Sequence, residues 1–235
     1  MGMLTDFDLL SATPAQLLEC VVDMEPGLFA QSVLLMIDRT ALSPADAITF
    51  LQVHERVASW WSSIQAEVLV AAAGDEPVVE EFALLDERTV RVEDAIREEV
   101  AAALRWSPVT AQHRIDTARL LAGPLAATRE ALALGDLTSG HVAVLVEASS
   151  RLPGRHADAG EHGADFTIAC AHLQSRVLPV ARRGTLSATR AAARRDGHDA
   201  AAWPRAAPGV STSSTSWTGS PLWSPGWRPR TPTPS

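Results

Sequence analysis

The side chains best suited to recognition chemistry lie between Ser107 and Arg114, in the run Ser-Pro-Val-Thr-Ala-Gln-His-Arg. Ser107 followed by Pro108 is a helix N-cap and then a residue that needs no N–H donor in the first turn. On the helix that begins there, Ala111, Ile115 and Ala118 recur at spacings of four and three, which predicts that they turn inward. Ser107, Thr110, Gln112, His113 and Arg114 are then left for the exposed side. Their hydroxyl, amide, imidazole and guanidinium groups are the types that read base edges and phosphates in double-stranded DNA. A preceding helix with Val100, Ala101 and Leu104 on one face makes the segment at about 92–122 a helix-turn-helix candidate. A bundle with no ligand would use the same small residues and the same capped turn. Between Asp86 and Leu121 six arginines face seven acids, which supplies no basic stripe, so any DNA binding is expected to be weak and steeply salt-dependent.

Other chemistry-bearing residues point to less. Arg155-His-Ala-Asp-Ala-Gly-Glu-His162 with Asp165, Cys170 and His172 gathers ligand-type side chains, but at spacings of no standard metal site, and a solvated loop explains them equally well. His54-Glu55 lacks the second histidine of a metalloprotease helix, and no phosphate-binding glycine loop or GxSxG elbow occurs. His141 follows Thr138 in a first helical turn, where a capping or packing role is expected. No catalytic residue, metal or cofactor is assigned.

The elements that must position the candidate residues are helical. Ser43-Pro-Ala-Asp46 reads as a capping box opening a long helix that Gly74 stops after Ala73. Along it Phe50, Val53, Val57, Trp60, Trp61, Ile64, Val68 and Ala71 are taken as core positions, the tryptophans included. Apolar-periodic segments at about 14–24 and 28–38 pack against it as a helical hairpin. Further helices are predicted at about 92–105, 108–122, 124–134 and 138–150, with an apolar segment at about 166–180, and no stretch alternates for long enough to predict a sheet. The expected fold is all-α: a multi-helix bundle with a long central helix and a helix-turn-helix, followed by a disordered tail. The expected divisions are 1–26, an N-terminal helical segment; 27–183, the main helical module; and 184–235, a degenerate tail.

Composition bounds the setting. The 235 residues are 46% hydrophobic and 20% charged, which suits a globular core. Cys20 and Cys170 form no CxxC pair, no apolar run reaches the ~18 residues of a spanning helix, and Asp6 and Asp8 stand where a signal peptide carries basic residues. A cytoplasmic protein without membrane contact is expected, with self-association through helices as a further possibility. All twenty basic residues are arginine, and lysine, asparagine and tyrosine are absent, the signature of a GC-rich genome. Residues 1–180 hold 12 Arg against 26 acids, a balance of −14, whereas residues 181–235 hold 8 Arg against 2 acids, a balance of +6. From Trp203 the chain is Trp, Pro, Ser, Thr and Gly without periodicity, a composition that cannot offset its ordering entropy. Because tryptophan has a single codon, the frame one base early can be read: Trp217-Thr218 gives aspartate, and GC-rich codon choices give valine and alanine at Trp223-Ser224 and Trp227-Arg228. The tail is accordingly expected to be an out-of-frame extension.

The runs from Glu99 to Ala118, from Leu121 to Leu132 and from Gly135-Asp-Leu-Thr-Ser-Gly-His-Val142 resemble the actinobacterial 13E12 repeat family, domain of unknown function 222. The likeness spans roughly residues 30–195 and is specific over 80–152. It implies a mostly helical module that usually stands N-terminal to an HNH homing-type nuclease on repeated or mobile elements. The nuclease pattern is missing, since there is no asparagine and no CxxC, and His198 is the last histidine after His172. The expected function is therefore non-catalytic, with double-stranded DNA as the candidate partner. A structural or protein-interaction bundle, and the targeting part of an HNH nuclease split by frameshift, are the alternatives.

Overall fold

A computed structural model of the chain describes residues 11–76, 79–83, 89–93, 96–153 and 161–198. The helices are α1 (Pro14–Val22), α2 (Leu28–Met36), α3 (Pro44–Ala73), α4 (Ile96–Leu104), α5 (Pro108–Ala122), α6 (Ala126–Ala133), α7 (Ser139–Ser149), α8 (Glu161–Ala181) and α9 (Leu186–His198). The architecture is the all-α multi-helix bundle that the periodicity predicts, with one addition. Strands β1 (Val79–Ala83) and β2 (Thr89–Glu93) pair antiparallel, Val79 opposite Glu93 and Ala83 opposite Thr89. Five residues per strand is too short for alternation to stand out, although Thr89-Val-Arg-Val-Glu93 does alternate. The hairpin moves the start of the following helix from the expected Val92 to Ile96.

Helix α3 organises the molecule. Ser43 Oγ accepts from the Asp46 N–H at 3.2 Å, Pro44 fills the first turn, and Gly74 at φ 75° ends the helix. Thirty residues at 1.5 Å each make a rod of about 45 Å, long enough to serve two cores. Its first half contributes Val53 and Val57 to a core with Leu17, Leu18 and Val21 of α1 and Ala30, Val33 and Leu34 of α2. Its second half contributes Ala66, Leu69 and Ala73 to a larger core built by α4 to α9. The expected division at residue 26 is therefore no boundary, because α1 and α2 share one core.

Two further corrections concern burial and extent. Trp61 is 43% exposed and its indole N–H donates to Gln31 Oε1 at 2.6 Å, and Val68 is 61% exposed. The inward stripe of α3 instead includes Ser59 and Ser63, whose hydroxyls donate to the carbonyls of Glu55 and Trp60 and so cost little to bury. Beyond residue 183 the fold continues: α9 packs on α7 and α8 through buried Thr189, Ala192 and Ala193. The basic composition conceals this because its arginines occupy the outward face. The expected tail from Trp203 onward lies outside the described residues.

Candidate nucleic-acid interface

Helices α4 and α5 are joined by three residues, Arg105-Trp106-Ser107. Arg105 adopts φ 55°, a left-handed conformation that costs a residue with a Cβ about 1–2 kcal/mol. The Trp106 N–H donates to Ala101 O at 2.9 Å and the Arg105 N–H to Ala102 O at 3.4 Å, the paired bonds that close a helix C-terminus before a left-handed residue. Trp106 then packs partly buried against the larger core. Ser107 caps α5, accepting from the Thr110 N–H at 3.1 Å. Ala111, Ile115 and Ala118 are buried, as their spacing predicts.

The five candidate residues divide by what they already touch. Ser107 and Thr110 are exposed, with their hydroxyl oxygens 2.8 Å apart in the cap. Gln112 is half-buried and donates through Nε2 to Asp116 Oδ1 at 2.9 Å. His113 and Arg114 are exposed, and the Arg114 guanidinium lies over the Trp106 ring, 5.7 Å from its centroid. Thr110, His113, Arg114 and Thr117 share one face of α5. The last three border a cleft of about 250 Å³ that Ser62 and Gln65 of α3 and Ser139 of α7 close from the other side. The floor of the cleft is apolar, with Leu69, Leu121 and Val142. Thr117 Oγ1 is buried there without a hydrogen-bond partner.

Only the first two turns of α5 protrude. From Ile115 onward each residue to Leu121 is buried or half-buried, held by α3, α4 and α6. Val109, on the second helical position, is 79% exposed and joins this end without having been expected there. Periodicity assigns an apolar residue to the core, and only its place outside the Ala111–Ile115–Ala118 stripe signals otherwise. Electrostatics are unfavourable to a polyanion at the base of the unit: Glu98 and Glu99 are exposed on α4, and Arg97 is held by Glu98 at 2.8 Å. Arg119 is also committed, donating to the carbonyls of Ala73, Gly74 and Glu76 and closing the end of α3.

Of the run with ligand-type side chains, residues 154–160 and the side chains of 161–164 lie outside the described residues. Cys170 is buried and His172 half-buried on α8, and among the described residues no three His, Cys, Asp or Glu side chains are grouped to hold a metal. No helix among the described residues is long and apolar enough to cross a membrane.

The family model "Domain of unknown function (DUF222)" matches residues 63–211, more than half of the chain. No curated protein and no solved structure matches. The match takes in the larger core, from the second half of α3 to α9, and leaves the α1–α2 core outside it. The chain belongs to the DUF222 family.

Proposed function

We propose that this member of the DUF222 family is a non-catalytic module that binds double-stranded DNA through the unit formed by α4, the three-residue turn and α5. The observation that carries the reading is the protrusion of the first two turns of α5, because that end of the second helix is the one that reaches base edges in helix-turn-helix proteins. Val109 would offer a methyl contact to thymine, and Thr110, Gln112, His113 and Arg114 would offer hydrogen bonds once Arg114 leaves Trp106 and Gln112 leaves Asp116. Those exchanges and the nearby acids set a weak affinity.

Anisotropy titrations on duplexes from the gene's own flanks test the reading. Arg114→Ala should weaken binding by roughly 1–3 kcal/mol, and Val109→Glu should abolish it, while Arg39→Ala on the opposite core changes little. Incubation with plasmid and magnesium or manganese should leave the plasmid intact. Binding indifferent to Val109 and Arg114 would leave the protein-interaction bundle as the better account. The groove of about 460 Å³ between α2 and α3, bordered by Leu35, Phe50 and exposed Trp61, favours that account.

A further inference from the structure

The densest run of positive charge in the sequence is not on α5. From residue 166 to residue 195 the chain holds six arginines and no acid. All six, Arg176, Arg182, Arg183, Arg190, Arg194 and Arg195, are exposed. Arg182 meets Asp136 at 3.3 Å. Arg190 and Arg194, one helical turn apart on α9, have no acidic partner among the described residues. They open onto a groove of about 120 Å³ between α7 and α9, whose other wall is Val144, Glu147, Ala148 and Arg151. Within it Arg151 donates to Glu147 Oε1 at 2.8 Å, so one arginine is neutralised and oriented while two are left with unused forks.

We infer that the α7–α9 groove is a phosphate-oxygen site, and that the phosphodiester backbone of nucleic acid is its ligand. Two guanidinium groups at i and i+4 present planar pairs of N–H donors on one helix face, the geometry that takes phosphate oxygens two at a time. The apolar walls Val144 and Ala193 limit hydration of those donors and strengthen the contact. A lone phosphate fits the groove's volume, and a backbone adds its neighbours, which Arg183 and Arg195 on the same basic segment would meet. The groove would share with α5 the class of partner proposed for it, but through different residues. Contacts of this kind position a duplex without reading its sequence, which is the part that the acidic α4–α5 unit lacks.

The test measures binding of the full chain to a labelled duplex of arbitrary sequence between 50 and 200 mM salt. Replacing Arg190 and Arg194 together by alanine removes exposed groups from a helix that alanine favours, so the circular dichroism should not change. That double variant should bind roughly tenfold more weakly at the lowest salt, and the slope of log K against log salt should fall by about 2. Arg39→Ala/Arg129→Ala, with the same loss of charge outside both the α4–α5 unit and the groove, should keep the parental slope. Arg190→Lys/Arg194→Lys should keep the slope while losing part of the affinity. An unchanged slope in the alanine variant, or an equal loss in the control pair, would overturn the inference. Loss in the groove variant with none in Arg114→Ala would support the groove and sink the α5 reading; the reverse would do the opposite. If no duplex is bound, the nucleic-acid assignment is overturned. Phosphorus NMR of inorganic phosphate then decides the site: line broadening that vanishes in the alanine variant makes free phosphate the ligand, and its absence refutes the groove altogether.

Discussion

Gln174 shows how much one side chain can hold. Helix α6 begins after Leu125, whose side chain cannot cap it. Gln174 reaches across from α8, and its Oε1 accepts from the Thr128 N–H at 2.9 Å and the Thr128 hydroxyl at 3.0 Å. Its Nε2 donates to Pro124 O at 2.9 Å and Cys170 O at 3.1 Å, so every polar position of the amide is used in a buried setting. Leucine at 174 would fill similar volume but strand the Thr128 hydroxyl and the Pro124 carbonyl, while the Thr128 N–H keeps its bond to Leu125 O at 3.0 Å, and buried polar groups left unpaired are costly. Gln174→Leu should destabilise the protein by about 2–4 kcal/mol, and Thr128→Val by about 1 kcal/mol. Because the two residues share the same bonds, the double variant should lose clearly less than the sum. Additive losses in urea titrations would show that 174 matters for packing alone. Nothing in the sequence announces this residue: glutamine on a helix reads as surface, and its partners on and before α6 lie 46 and 50 residues away.

At the level of elements, the motif Gly135-Asp-Leu-Thr-Ser-Gly-His-Val142 that suggests the family is explained by the corner between α6 and α7. Gly135 sits at φ 72°, with the Asp136 N–H donating to Ala131 O and its own N–H to Leu132 O, which ends α6. Leu137 is buried, and Thr138 opens α7, its N–H donating to His141 Nδ1 at 3.2 Å. Gly140 leaves room for Leu186 of α9, whose methyls would lie 3.1 Å from an added Cβ. The sharpest constraint is at Gly135, where a Cβ would come within 2.8 Å of the Arg56 Cβ on α3. Arg56 in turn donates to the carbonyls of Val22 and Met24 and closes the end of α1. Gly135→Ala should therefore cost about 2–4 kcal/mol through backbone strain and the displaced neighbour. It should also raise hydrogen exchange at the C-terminus of α1, and a loss of stability confined to α6 and α7 would refute the connection. The ends of α3, the start of α5 and the end of α6 were legible because they carry local punctuation, Ser43-Pro44, Gly74, Ser107-Pro108 and Gly135, whereas the start of α4 and the presence of α9 were not. Which face of α3 turns inward was not, since helix approach there is set by buried serines rather than by large apolar residues. The protruding N-terminal end of α5 was legible for the same local reason, whereas the α7–α9 groove was not. It needs the register of two helices some forty residues apart.

For the whole molecule, the two cores on one helix make a prediction whose sign follows from linkage. Among the described residues the smaller core holds nine buried apolar residues and the larger twenty-five. Each fully buried aliphatic side chain contributes about 1.5–3 kcal/mol, so releasing α1 and α2 costs much less than unfolding α4 to α9. Amides of α1 and α2 should exchange through a partial opening, and those of α8 only through global unfolding. A cavity in the larger core, Leu173→Ala, raises the native and the partly open states together, by about 2–5 kcal/mol relative to the unfolded chain. Protection of α8 should fall by that amount while protection of α1 and α2 stays the same. A cavity in the smaller core, Leu18→Ala, raises only the native state, so protection should fall in α1, α2 and α8 alike. If Leu173→Ala instead weakens α1 and α2 as much as α8, the cores unfold as one. The contact of Gly135 with Arg56 would then be strong enough to couple the α1–α2 core to the part that the family match covers.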